Sequence, residues 1–263
     1  MLARNASDHT HPTEGNNRRA HHYGALAQRL SDTYTVRVIE RRGRGRSGPQ
    51  GPGYGVEAEV DDAIAVMEHT GSSLVFGHSH GGLVALHLGL RRTVAALMVY
   101  EPGVSIAGSF DARWLPSFTH LLQNGKRVAA MATFLKGTRL TPIGDAPTPV
   151  FRALAFLLLR GADGHDTSAM MATTPAEIGE IARLDSDGTR YAGIASPTLL
   201  MGGGKSPTYL TGVLPRLAGV IPDARHVILR GLDHNAPDLN APHVVAEQIR
   251  AFTQVRLPEE RPQ

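Results

Sequence analysis

"GHSHGG", residues 77–82, follows the apolar run "SSLVF" at 72–76 and precedes "LVALHLGLRR" at 83–92. A short run of uninterrupted apolar residues suits a strand buried on both faces. The residues after it repeat with the spacing of a helix. Gly77-His78-Ser79-His80-Gly81 fits G-x-S-x-G, and here the pattern has the context that gives it meaning, a strand before and a helix after. In that setting the flanking glycines let strand and helix approach closely while the turn is strained, and the serine hydroxyl projects from the C-terminal end of the strand. The helix that begins beyond it offers N–H groups to a developing oxyanion, with the His80 N–H first among them. A metal clip is the weaker reading: side chains at i and i+2 across a sharp turn diverge, and no third ligand accompanies His78 and His80.

The pattern spreads in both directions from this turn. Upstream, "HHYGALAQRL" at 21–30 is helical, and "YTVRVIE" at 34–40 alternates as a strand. "RRGRGRSGPQGPGYG" at 41–55 is a glycine-rich loop, and "VEAEVDDAIAVMEHTG" at 56–71 is a helix ending in Gly71. Downstream, "TVAALMVYE" at 93–101 and "SPTLLMGG" at 196–203 read as buried strands. "YLTGVLPRLAGV" at 209–220 is a helix, "ARHVILRG" at 224–231 a strand, and "APHVVAEQIRAFTQV" at 241–255 a final amphipathic helix. Strands alternating with helices predict an α/β fold, a mostly parallel, doubly wound sheet with helices on both faces. Residues 21–103 and 191–255 form that core. Residues 104–190 carry several helical patterns and no convincing strand, so they are expected to be a helical insertion. Residues 1–20 are polar and without period, which reads as a disordered tail.

Composition narrows the function. The chain has 263 residues, 41% hydrophobic and 19% charged, which is globular rather than disordered. The formal charge is only +3 despite a pI near 9.4, aromatics are 5%, and no recognition motif accompanies the basic run at 41–48, so nucleic-acid binding is not expected. There is no cysteine, which removes disulfides, thiolate metal sites and a cysteine nucleophile, and fits a reducing cytoplasm. The opening residues lack the apolar stretch of a signal peptide, and no window is long and apolar enough to span a membrane. "GGGKS" at 202–206 fails as a phosphate loop because Leu199 stands where that motif needs glycine. His9, His11, His21 and His22 cluster near the N-terminus, but their ligand set does not specify a metal site.

A serine needs a base, and His234 in "GLDHNAPD" at 231–238 lies between the last expected strand and the last helix. With "RRGRGRSG" after an early strand, "GHSHGG" at the turn and "GLDHNAPD" near the end, residues of about 20–255 resemble the α/β-hydrolase fold family. The resemblance implies an eight-stranded, mostly parallel sheet, a helical cap inserted after the sixth strand (the 104–190 block fits it), and a Ser–acid–His triad in that chain order. In many members the acid follows the seventh strand, but the loop there, "GGGKSPT" at 202–208, has no carboxylate. Others carry it after the sixth strand, where Glu101 stands in "VYEPG"; Asp233, adjacent to His234, is the competitor.

The resemblance also implies a strand and an oxyanion loop ahead of residue 18. The sequence there is "NASDHTHPTEGNN", and Gly15 and Asn16 are the nearest match to the loop that supplies the second oxyanion donor. Three readings stay open. The segment is truncated or replaced, residues 1–10 pair as an unusual strand, or the chain folds differently there and is a poor catalyst. The first is the simplest. The resulting expectation is a cofactor-free, metal-free serine hydrolase, carboxylesterase-like, acting on a small and partly apolar acyl substrate. Ser79, His234 and Glu101 form its triad. The alternative keeps the fold without hydrolysis, as a lyase, a cofactor-free peroxidase or a binding protein.

Overall fold

The structure is a computed structural model that describes residues 2–4, 23–161 and 164–256. The segment expected as a tail is therefore largely outside the described residues, and so are Gly15, Asn16 and the four N-terminal histidines.

The described residues build a six-stranded sheet in the order β2-β1-β3-β4-β5-β6. The strands are β1 (Leu2–Arg4), β2 (Tyr34–Val36), β3 (Leu74–His78), β4 (Ala96–Tyr100), β5 (Thr198–Gly203) and β6 (Ala224–Leu229). β3 through β6 run parallel. β4 lies at their centre and every one of its residues is buried. Its alternation serves two faces. Ala96, Met98 and Tyr100 join the core formed with Leu26 and Leu30 of α1 (Gly24–Leu30) and Val245, Ile249 and Phe252 of α10 (Pro242–Arg256). Leu97 turns the other way, toward Gly89 of α3 (His80–Arg91). α3 packs on α2 (Val56–Thr70) and against β3 and β4. A strand covered on both faces has no polar side to show, which is why its sequence reads as an unbroken apolar run.

Of the three readings left open for the N-terminal segment, the described residues match the unusual strand: Leu2–Arg4 occupies the place between β2 and β3 and pairs antiparallel with both. Three residues with no β-branched member carry no strand signal of their own. What they offer is backbone donors and acceptors for two edges that would otherwise stand unpaired. β2 is correspondingly short: the strand expected over 34–40 ends at Val36, the residue paired with Leu2. The sheet has six strands among the described residues rather than the eight the resemblance implies. The helix expected over 209–220 is two, α8 (Thr208–Thr211) and α9 (Val213–Val220), parted at Gly212.

Backbone contacts divide the chain into two compact units, one comprising 1–40, 56–103 and 187–263, the other 41–55 and 104–186. The second is built of α4 (Leu115–Gln123), α5 (Arg127–Thr138), α6 (Thr148–Arg160) and α7 (Gly164–Arg183) around Phe118, Met131, Phe151 and Met171. The loop 41–55 belongs to it for an electrostatic reason. Glu177 of α7 is nearly buried and takes both Nη2 contacts of Arg44 at 2.8 Å and one from Arg41 at 3.0 Å. A single guanidinium nitrogen of Arg44 spans both carboxylate oxygens, a charge-assisted contact. These two arginines thus anchor the loop. Glu177→Ala would remove the nearly buried carboxylate that the two arginines share. The expected loss is about 1–3 kcal/mol, less than for a fully buried pair because both arginines keep some solvent. Urea midpoints of the two proteins measure it, and equal midpoints would refute the anchoring role.

Candidate active site

The turn at Ser79 is strained and firmly held. Ser79 has φ 55° and ψ −124°, a region costly for a residue with a Cβ. Its N–H donates to the Tyr100 carbonyl at 3.0 Å. Its own carbonyl accepts from Gly82 N–H at 2.9 Å, Leu83 N–H at 3.2 Å and Gly103 N–H at 2.7 Å. The backbone is thus tied to the end of β4 on one side and to the first turn of α3 on the other. Gly77 is where the approach is closest: a Cβ there would lie 2.3 Å from the Gly81 carbonyl oxygen and 2.8 Å from Ala85 Cβ. At Gly81 the same atom would meet nothing within 4 Å. Of the two motif glycines, only the first is required by packing. Gly77→Ala should cost about 1–3 kcal/mol or fail to fold, as overpacking does. Gly81→Ala should be neutral or stabilising by up to about 1 kcal/mol, as alanine is in a helix. Thermal melts of the two variants separate these outcomes, and similar losses in both would contradict the assignment.

Glu101 follows β4 directly and is fully buried, with φ 44°. Ser79 and Glu101 are the two non-glycine residues of the first unit, among those described, that have positive φ. Strained backbone of this kind persists where the surroundings over-determine it, and it concentrates at functional sites. Glu101 Oε2 lies 2.7 Å from His234 Nδ1, and Oε1 accepts the Gly203 N–H at 2.7 Å. A carboxyl oxygen on Nδ1 assigns the ring proton to that nitrogen and leaves Nε2 as the acceptor. Asp233 faces elsewhere: its carboxylate accepts the Asn235 N–H at 2.9 Å and the Asn240 amide at 2.8 and 3.0 Å, shaping the loop that carries His234.

Three further residues complete this arrangement; the sequence did not single out Gly203 or Tyr100, and it named His78 only as a motif neighbour of Ser79 and a weak metal-clip candidate. Gly203 supplies the N–H on Glu101, and a Cβ on it would strike the Leu232 carbonyl oxygen at 2.5 Å. Its signal was present in the triplet "GGG", where a close backbone approach is one reason for glycine. Tyr100 donates its hydroxyl to the Asp233 carbonyl at 2.8 Å. Burial, and then the negative charge of Glu101, Asp233 and Asp238, push its pKa far upward, so the donor stays protonated. His78 accepts or donates a hydrogen bond with Tyr23 Oη at 2.7 Å through Nδ1, and its ring centre lies 4.6 Å from that of His234. Neither partner of these pairs is near the other in sequence.

Burial first, and the neighbouring His234 second, hold the pKa of His78 well below 6.5, with the His234 backbone acting weakly the other way. Because the folded value is the lower one, the unfolded chain takes up the proton first as pH falls. Stability associated with His78 is therefore complete above the unfolded value and lost as pH drops below it. Urea midpoints at about pH 7.5 and 5.5 should fall less between the two for His78→Phe than for the wild type. An equal fall would place the titration elsewhere.

His80, expected to supply an oxyanion donor, opens α3, and first-turn N–H groups have no partner within their own helix. Gly15 and Asn16 lie outside the described residues. Among the described residues no group of three or more His, Asp or Glu is placed to hold a metal, and no helix is long and apolar enough to cross a membrane.

Comparison with known proteins agrees with this architecture. The model of the alpha/beta hydrolase family matches residues 11–248. The lipase LipV of Mycobacterium tuberculosis is 39% identical over 71 residues, so the match spans about a quarter of either protein, 26% of this chain and 27% of the other. The crystal structure of an alpha/beta hydrolase from Sphaerobacter thermophilus is similar with a TM-score of 0.67 and 28% identity, covering 86% of this chain and 85% of that one. An esterase from Exiguobacterium antarcticum shares the fold with a TM-score of 0.63 at 17% identity, covering 93% and 90%.

Proposed function

The chain belongs to the alpha/beta hydrolase family, and on that premise we propose that it is a serine hydrolase cleaving a carboxylic ester or related acyl compound through an acyl-enzyme on Ser79. One observation carries the proposal: the buried contact of 2.7 Å between Glu101 and His234 Nδ1. It gives the histidine the tautomer of a general base. In this reading His234 Nε2 takes the Ser79 proton as Oγ attacks the carbonyl, and the His80 N–H stabilises the oxyanion. The proton then passes to the leaving group, and water repeats the sequence on the acyl-enzyme. Glu101 orients His234 and stabilises its charged form. None of these steps calls for a cofactor.

The ester assignment is supported by the name of LipV, a lipase, over the 71 matched residues. A partly apolar acyl group and a cytoplasmic location, the latter on the absence of cysteine, complete the proposal. A series of p-nitrophenyl esters of increasing acyl length tests it. Turnover by the wild type that disappears in Ser79→Ala is expected. No turnover of any ester, or equal rates in the two proteins, would overturn it.

A further inference from the structure

His78, the residue before the serine, is used by no step of this chemistry, yet it is the aromatic neighbour of His234. Its ring centre stands 4.6 Å from that of His234, the planes inclined at 51°. Tyr100 meets His78 edge-on at 5.7 Å and Tyr23 does so at 6.0 Å, and Tyr23 Oη is hydrogen-bonded to His78 Nδ1. The other nitrogen, Nε2, is buried, and the His234 backbone is the further polar group that acts on this ring. A polar ring buried in such a place gives up solvation that phenylalanine there would not.

We propose that His78 is a positioning residue for His234, its ring forming the wall that fixes the plane of the catalytic imidazole, with Tyr23 holding that wall in place. The inference rests on the hydrolase reading for its rate consequences. The physical argument is geometric. The covalent link through Cβ and the bond from Nδ1 to Glu101 hold the His234 ring at two points, and what a single hydrogen bond leaves is a coupled rocking about χ1 and χ2. Catalysis needs Nε2 aimed at the serine, and small misplacements of a reacting group cost large factors in rate. The tilted His78 ring, 4.6 Å away centre to centre, limits that rocking. The surface also acts when His234 carries the proton. A cation beside an uncharged aromatic face is attracted to it, whereas a second imidazolium would repel it. Tyr23 comes from the start of α1 and His78 from the end of β3, so the wall joins the helix, the nucleophile strand and the base loop.

The test compares His78→Ala, His78→Phe, Tyr23→Phe and the double variant Tyr23→Phe/His78→Phe in the full chain, with melting temperature recorded for each. His78→Phe keeps a flat ring and cannot charge; His78→Ala removes the wall. With p-nitrophenyl butyrate, His78→Ala should lose about 10–100-fold in kcat with KM nearly unchanged, as for an interaction felt in the transition state. His78→Phe should recover most of that loss. Tyr23→Phe should lower kcat only where His78 is present. A loss as large in His78→Phe as in His78→Ala, or the same Tyr23→Phe effect in both backgrounds, would overturn the proposal. An activity-independent measurement accompanies these. The downfield proton resonance of His234 Nδ1–H, identified by its disappearance in His234→Asn, should stay sharp in His78→Phe and broaden in His78→Ala. If that response is seen in a protein that cleaves no ester, the hydrolase reading fails and the positioning role stands. If neither variant alters the resonance, the positioning role fails whatever the activity.

Discussion

Ser79→Ala should abolish ester turnover, a loss of about 10⁶-fold in kcat, with the fold intact. The size follows from what the hydroxyl does. In the proposed mechanism it is the atom that forms the covalent bond, and removing the nucleophile of such a triad leaves only binding and oxyanion stabilisation. That the fold survives follows from the turn's construction. The Ser79 side chain makes no capping hydrogen bond to α3. The turn is held by backbone bonds to Tyr100, Gly82, Leu83 and Gly103, all of which alanine can make. Alanine also bears the same single Cβ, so the positive φ costs it about what it costs serine. A melting temperature within a few degrees of wild type, with turnover at background, is the expected pair of results. Retained turnover would remove Ser79 from the chemistry.

Glu101→Gln should cost about 10⁴-fold in kcat, by analogy with the carboxylate-to-amide change in a serine protease triad. The two oxygens of Glu101 have different partners, and that difference decides the outcome. Oε1 accepts from the Gly203 N–H and Oε2 faces His234 Nδ1, each at 2.7 Å. A glutamine must keep its oxygen toward Gly203, because two N–H groups cannot face each other. Its NH₂ then points at His234 Nδ1 and demands an acceptor there. The ring proton moves to Nε2, and the base can no longer take the serine proton. Asp233→Asn is the control: that carboxylate is turned to Asn235 and Asn240, so the His234 tautomer is untouched by the change. Steady-state kinetics of the two variants give the comparison. A large loss in Asp233→Asn with little in Glu101→Gln would reverse the assignment of the acid.

Much of the α/β core could be read from sequence because its strands are buried on both faces. "ALMVY" is buried at every residue and "LVFGH" opens on an apolar run for that reason, and their helices repeat with clear spacing. β1 could not be read, because three residues pair through backbone groups that every sequence possesses. The loop 41–55 showed its arginines but not Glu177, which is 133 positions from Arg44 and meets it only in the folded chain. The site divides in the same way. Ser79 and His234 sit in local motifs, and Glu101 follows from a strand end. Tyr23 and His78 are 55 positions apart, Gly203 lies 102 from Glu101, and Tyr100 lies 133 from Asp233. Such pairs are set by how elements are arranged in space, and spacing along the chain does not report it.

The claim on which the rest depends is that Ser79 is an activated nucleophile. A fluorophosphonate reagent tests it with no substrate assumed, because it forms a covalent adduct only with a serine whose proton is removed by a base. The folded protein should gain one adduct, located by mass spectrometry on the peptide containing Ser79. The adduct should be absent from Ser79→Ala and strongly slowed in His234→Asn. Folded wild-type protein that stays unlabelled, or that carries the label on another residue, would contradict the account.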